Sequence, residues 1–239
     1  MEKSAFKPVF LVPYYNHPAK IADLVENLSK MGEILIIDDG SDEVSKNALI
    51  GLKAEIFTRE NNGGKGAALK DGFKIALQKG YTHAFQIDAD FQHDISKCDD
   101  FLQIAQINPY SLICANPIYD ENAPKSRFYG RKITNFWCAI NSLSNDIKDG
   151  MCGFRIYPLK EICEILDSVK DDRMGFDIEI LVQAYRAKIP LKWIELKVRY
   201  EKGGVSHFRM FRDNFQISLT HARLFFTLPL WLAKRAFHG

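Results

Sequence analysis

Residues Gln86 to Asp94 read Gln-Ile-Asp-Ala-Asp-Phe-Gln-His-Asp, and the pair Asp88 and Asp90 is the most informative feature of the chain. The apolar run before it, His83 to Ile87, has the make-up of a short buried strand, so both carboxylates should emerge where that strand passes into a loop. At the carboxyl ends of parallel strands an open α/β sheet binds its ligands. Two like charges this close repel unless a cation sits between them, and oxygen-only donors suit a hard divalent ion, Mg²⁺ or Mn²⁺. Such an ion would in turn recruit substrate phosphates. The bland alternative is a pair of solvated turn aspartates.

Three other segments could take part in the same chemistry. The first strand-like run ends in Pro13-Tyr14-Tyr15-Asn16-His17, and the second in Asp38-Asp39-Gly40-Ser41. A carboxylate at such a strand end can accept hydrogen bonds from a nucleobase or a ribose, or it can simply cap the helix expected to begin near Val44. The third segment, Asn61-Asn62-Gly63-Gly64-Lys65-Gly66, leads into a strong helical pattern. Its glycines let backbone approach a ligand, and a lysine at a helix start suits phosphate. It is not a P-loop, because Lys65 is followed by Gly66 and the glycine spacing is wrong.

The elements that must position these residues alternate in type. Strand-like runs at Val9–Val12, Ile34–Ile37, Glu55–Thr58, His83–Ile87 and Ser111–Ala115 are separated by helical patterns at Ala19–Met31, Val44–Leu52, Lys65–Lys79 and Lys97–Ile107. This predicts βαβ units and an α/β fold with a mostly parallel sheet. Pro117 to Pro124 reads as a loop, followed by helices over Arg127–Leu143, Leu159–Val169 and Phe176–Ala187, a strand over Ile194–Tyr200 and an amphipathic segment over Met210–Phe226. At 239 residues and 46% hydrophobic content one domain is expected, with a nucleotide-binding half over about 8–116, an acceptor half over about 117–208 and an amphipathic end over 209–239.

The net charge of +2 does not suggest a nucleic-acid partner. Five cysteines without a Cys-x-x-Cys pair suggest neither a disulfide framework nor a zinc site, and a reducing cytoplasm is the simplest compartment. No run approaches the ~20 apolar residues of a membrane span.

In order, these segments resemble the inverting family 2 glycosyltransferases of the GT-A fold, most closely the dolichol- and polyprenyl-phosphate sugar synthases. The resemblance continues through Asp149-Gly150-Met151-Cys152-Gly153-Phe154-Arg155, Gly175-Phe176-Asp177-Ile178-Glu179, Val198-Arg199-Tyr200 and Gly203 to Phe208, so that it spans roughly residues 8–226. It implies transfer of a sugar from a nucleotide diphosphate sugar to a lipid-linked acceptor. Pro13, Tyr15, Asp39 and Lys65 then look like donor contacts, with Asp88 at ribose or metal. Asp90, on which turnover should depend, and Gln92 would complete the shell of the divalent metal. Arg127 and Arg131 lie where the family holds the acceptor phosphate, while Arg155 could be a phosphate ligand or an ion-pair partner. His207 could order a loop at the pyrophosphate or be a structural group. A phosphate acceptor needs no strong base; for a neutral hydroxyl, Asp149 and Asp177 are the candidates.

The chain departs from the family at His17, where Glu is usual, and at Ala115-Asn116-Pro117, where many polyprenyl-phosphate enzymes have Gly-Ser-Arg. Tyr119 to Arg131 and Asp149 to Pro158 resemble a bacterial subgroup tied to lipid or aryl-polyene clusters. A dehalogenase-type phosphatase would lack the Asp38-Asp39 strand end, and a nucleotidyltransferase would carry a glycine-rich basic loop near residue 15. The alternatives kept beside the transferase are a nucleotidyltransferase of similar fold and a non-catalytic nucleotide-sugar-binding module.

Arg209, Arg212, Arg223, Lys234 and Arg235 alternate with Phe211, Phe215, Leu224, Phe225, Phe226, Leu228, Leu230 and Trp231, the composition of an interfacial helix on an anionic membrane. A peripheral position at the inner membrane face is therefore expected. The same apolar set could instead cover the sheet or a second copy of the chain. Trp137, Trp193 and Phe136 read as core.

Overall fold

The computed structural model describes residues 5–91, 93–119, 125–198 and 210–238. Seven strands form one sheet: β1 (Pro8–Tyr14), β2 (Ile34–Asp38), β3 (Glu55–Thr58), β4 (His83–Gln86), β5 (Leu112–Tyr119), β6 (Arg155–Pro158) and β7 (Leu191–Val198), in the spatial order β3-β2-β1-β4-β6-β5-β7. Only β6 runs against its neighbours, pairing antiparallel with β4 and β5, while the other ladders are parallel. The fold is therefore the expected α/β architecture with a mixed, mostly parallel sheet.

Side-chain alternation along β1 divides the core. Val9 and Leu11 face a cluster with Ala68, Leu69 and Phe73 of helix α3 (Lys65–Gln78) and with Ile178, Leu181 and Val182 of α7 (Phe176–Arg186). Phe10 and Val12 face the opposite cluster, with Ile21, Leu24, Val25 and Leu28 of α1 (Pro18–Leu28) and Phe101 and Ala105 of α4 (Cys98–Ile107). Helices cover both faces, which is why the central strands read as continuous apolar runs.

Three local expectations are corrected. The segment from Pro117 to Tyr119, expected as loop, continues β5 and pairs with Leu196 to Val198 of β7; Pro117 is tolerated because β6 pairs only as far as Ile113 and Cys114, leaving that side of β5 open. Strand β6 was not anticipated, being four residues led by an arginine. The helix expected over Val44–Leu52 is only α2 (Glu43–Asn47), capped by Asp42, whose carboxylate accepts the Ser45 N–H at 2.8 Å. Val44 and Ile50 point to solvent, so the apolar residues there form no single face. Neither Asp38 nor Asp39 is the cap.

In the second half, α5 (Lys125–Ser142), α6 (Leu159–Ile165), α8 (Met210–Phe226) and α9 (Leu228–His238) complete the helices of the described residues. Helix α8 is fastened to the body by Arg223, which donates to Glu179 at 2.8 Å, and by Thr220, which donates to Asp171 at 2.6 Å. Phe136, expected in the core, is 62% exposed, and Trp137 lies at the surface against Phe225. No helix among the described residues is long and apolar enough to cross a membrane.

Candidate active site

The loops after β1 and β2 are tied together at the carboxyl edge of the sheet. The Asn16 N–H donates to Ser41 Oγ at 3.0 Å, the Asp42 N–H donates to Asn16 Oδ1 at 2.8 Å, and Asp38 accepts the Ser41 N–H at 3.0 Å. Tyr14 is buried and its hydroxyl donates to the Ser45 carbonyl, whereas Tyr15, one residue on, opens to solvent. Pro13 is half-buried in the β1–β2 ladder opposite Ile37. Of the expected donor contacts here, Tyr15 is the side chain presented outward.

Asp39 is buried and its two oxygens are fully engaged. Oδ1 accepts from Arg59 and from the Gly63 N–H at 2.9 Å; Oδ2 accepts from Asn62 at 2.9 Å and from the Gly64 N–H at 2.7 Å. The carboxylate thus shapes the loop that delivers Lys65, and a nucleobase N–H would have to share or replace one of these donors. Arg59 and Asn62 were not singled out from the sequence. The glycines of this loop also answer to protein packing: a Cβ on Gly66 would lie 2.6 Å from Phe176 Cβ and 2.9 Å from the Asp171 carbonyl. The close backbone approach expected for a ligand is made to segment 171–176.

Lys65 opens α3 and reaches across the carboxyl end of β4. Its ammonium lies 2.9 Å from Asp88 and 2.9 Å from Asp177, the second residue of α7. Burial opposes charge on Lys65, but the two carboxylates more than offset it and raise its pKa well above the usual lysine value. Asp88 is likewise discouraged from ionising by burial, yet Lys65 and His93 hold its pKa below the ordinary carboxylate range. Gln86, the last residue of β4, donates to Asp177 at 3.3 Å and accepts from Tyr157 at 2.9 Å. A polar residue closing an apolar strand was the available signal for Gln86; nothing local marked Tyr157. Gly153 completes the packing, since a Cβ there would stand 2.8 Å from Lys65 Nζ and 3.0 Å from an Asp88 oxygen.

Beyond Asp88 the chain turns sharply. Phe91 takes a left-handed φ of 55°, unusual for a bulky residue and of the kind that gathers at functional sites. His93 packs on Phe154 and contacts Cys152 Sγ at 3.7 Å. Gln92 and His207 lie outside the described residues, as does the Arg127 side chain.

Two assignments are corrected. Arg155 is fully buried in β6 and donates to the Asp177 carbonyl at 2.6 Å, so no acceptor phosphate can reach it. Asp149 is also buried and receives Arg131 Nη1 on both oxygens, at 2.8 and 2.7 Å, together with the N–H groups of Met151 and Cys152. Its carboxylate is buried against Arg131 and the turn into β6, which it orients, and this placement disfavours it as a general base. Asp177, committed to Lys65 and Gln86, is similarly placed.

A divalent ion fits the donor chemistry here. Asp88 and Asp177 share the Lys65 ammonium, and the side-chain donors of Asp88 and Asp90 are oxygens, as a hard divalent ion prefers. Among the described residues no three His, Cys, Asp or Glu side chains are grouped to hold a metal. Asp88 and Asp90 would therefore need substrate phosphate oxygens and water to complete the shell, as Mg²⁺ usually does.

This mostly parallel seven-stranded topology is that of a GT-A glycosyltransferase. The chain belongs to glycosyl transferase family 2, whose description it matches over residues 9–162. It is 25% identical over 253 residues to a dolichyl-phosphate beta-glucosyltransferase of Dictyostelium discoideum, covering 94% of this chain and 76% of that one. In fold it resembles mannosyl-3-phosphoglycerate synthase from Rubrobacter xylanophilus, with a TM-score of 0.64, 14% identity, and 92% of this chain and 73% of that chain covered. It also resembles residues 1–349 of S. aureus TarS in complex with UDP-GlcNAc, with a TM-score of 0.57, 14% identity, and coverage of 91% and 66%.

Proposed function

We propose that this chain transfers a sugar, with inversion, from a nucleoside diphosphate sugar to the phosphate of a polyprenyl-type lipid. The observation that carries the acceptor class is the commitment of both candidate bases: Asp149 to Arg131 and two backbone N–H groups, Asp177 to Lys65 and Gln86. A hydroxyl acceptor would need one of them free; a phosphate acceptor, already anionic, needs only to be aligned. Arg131, and Arg127 one helical turn before it on α5, would hold that phosphate. The dolichyl-phosphate glucosyltransferase relative supports the same acceptor. Asp88, Asp90 and Gln92 would hold Mg²⁺ or Mn²⁺, which supplies charge neutralisation of the departing diphosphate. Tyr15 would line the nucleoside side, and the loop organised by Asp39 would place Lys65.

Incubation with UDP-glucose, polyprenyl phosphate and Mg²⁺ is expected to yield a polyprenyl-linked sugar and UDP. Asp90→Ala should lower that rate by at least ~100-fold, the scale of removing one group that stabilises transition-state charge, with an unchanged melting temperature. Full turnover by the variant, or by the wild type in excess chelator, would sink the metal assignment. Transfer to alcohols but not to phosphates would sink the acceptor.

We further assign the α8–α9 face to the cytoplasmic membrane surface. Phe226 is 77% and Leu230 67% exposed, beside Lys234 and Arg235. Trp231 is held by its N–H to the Arg186 carbonyl at 3.1 Å, so the test leaves it in place. Phe226→Ser/Leu230→Ser should remain folded and lose co-sedimentation with phosphatidylglycerol vesicles at low salt. Equal sedimentation of the variant, or concentration-dependent dimerisation lost in its place, would return this face to a partner chain.

A further inference from the structure

We propose that a pocket at the amino-terminal end of β7 is a second binding site, for a phosphate group carried on an apolar body. It is a cavity of about 720 Å³, within the size range of small-molecule sites. Strand β7 is parallel to β5, β5 is antiparallel to β6, and β6 is antiparallel to β4, so β7 points the same way as β4. Through these ladders Trp193 stands in register with Cys114, Arg155 and Gln86, so the pocket beside β7 is separated from Asp88 laterally, three strands across the sheet. The proposal stands whether or not the transferase reading holds.

The walls combine two indoles with a marked excess of positive charge. Trp193 and Trp231 provide apolar surface, and Lys148, Lys188, Lys234 and Arg235 surround it, against the single acid Asp146. Among the described residues no acid pairs with any of these four cations. An anion with oxygen acceptors would satisfy several of them at once. The pocket is also built rather than incidental. Arg186, 8% exposed, donates to the carbonyls of Asn141 and Leu224 and lies 5.4 Å from the Trp231 ring, while Arg235 lies 5.7 Å from the same ring.

Two features have no explanation in folding. The Trp193 indole N–H is buried and has no hydrogen-bond partner, a costly state that a ligand acceptor would relieve. Lys188 adopts a left-handed φ of 65° just after α7, where its N–H and that of Ile189 bond back to Tyr185 and Ala184. Glycine suits that position, so a lysine is kept there against its backbone preference.

The test uses the full chain and its tryptophan emission, since two of its three tryptophans line the pocket. Phenyl phosphate is titrated in solution in one arm, and phosphatidylglycerol vesicles in the other. Lys148→Gln/Lys188→Gly/Lys234→Gln should bind at least tenfold more weakly. Lys188→Gly alone should bind more weakly while melting no lower than wild type, because the backbone strain is relieved. Trp193→Phe, which removes the N–H but keeps a ring, should also weaken binding. A saturable response to phenyl phosphate that the triple variant loses supports the site and makes its ligand a free phosphate ester. A response to vesicles alone, lost in Lys188→Gly and in Trp193→Phe, which leave the α8–α9 face intact, supports it and makes the ligand a lipid headgroup. No saturable response in either arm, or wild-type affinity in the Lys188→Gly and triple variants, overturns the proposal.

Discussion

Replacing Lys65 with methionine is expected to lower stability by about 3 kcal/mol at pH 7, the scale of removing one partner from a buried ion pair, and to lower sugar transfer on the order of 100-fold. The ammonium is the charged contact common to Asp88 and Asp177, which follow β4 and open α7 and which the Gln86 amide also reaches. Methionine keeps most of the side chain's volume but leaves two carboxylates facing one another, poorly solvated. The loss should depend on pH in a set direction. Lys65 keeps the Asp88 pKa depressed in the folded protein, so the stability it contributes is present above the unfolded carboxylate value of about 4 and fades as pH falls through the folded one. The gap between wild type and variant in urea unfolding should therefore be widest near neutrality and narrow in acid. A gap that stays constant from neutrality to well below pH ~4 would show that Lys65 acts through packing and not through charge.

Gly64→Ala should be similarly damaging for a different reason, lowering stability by about 3–5 kcal/mol as strain and overpacking combine. Gly64 has φ 103° and ψ 165°, a region essentially reserved for glycine, and a Cβ there would lie 2.5 Å from the Asp172 carbonyl oxygen. That carbonyl accepts the Ala67 N–H at 3.0 Å, and the Gly64 N–H is itself bound to Asp39, so neither side can give way freely. In a chain of this length the melting temperature should drop by about 10–15 °C. Gly51→Ala is the control: its φ is also positive, at 78°, but nothing lies within 4 Å of the added carbon, so a cost of only about 1 kcal/mol is expected. Equal losses in the two variants would mean that backbone conformation alone, and not the contact with segment 171–176, restricts residue 64.

Much of this protein is legible in one dimension because its elements are long enough to show their own period. Ile21, Leu24, Val25 and Leu28 mark α1, strand β3 occupies Glu55–Thr58 as expected, and α8 spans Met210–Phe226 as its amphipathic pattern indicates. The carboxylates at strand ends were equally readable, since a strand's apolar run states where it stops. Period says nothing, however, about β6, whose four residues are too short to show one, or about β5 beyond Ala115, where a proline hid a ladder sustained by β7. Nor could it say what each charge meets. The cation beside Asp88 is Lys65, 23 residues away, and the second acid it serves is 112 residues from it. Arg155 and Asp149 looked available in the sequence, yet the antiparallel placement of β6 buries one, and the turn before it commits the other to Arg131. Hydrophobic pattern is a local property and so determines the elements and the edge of the sheet at which they end. Which side chain neutralises, orients or buries another depends on distances across the fold, and the tertiary structure alone decides that.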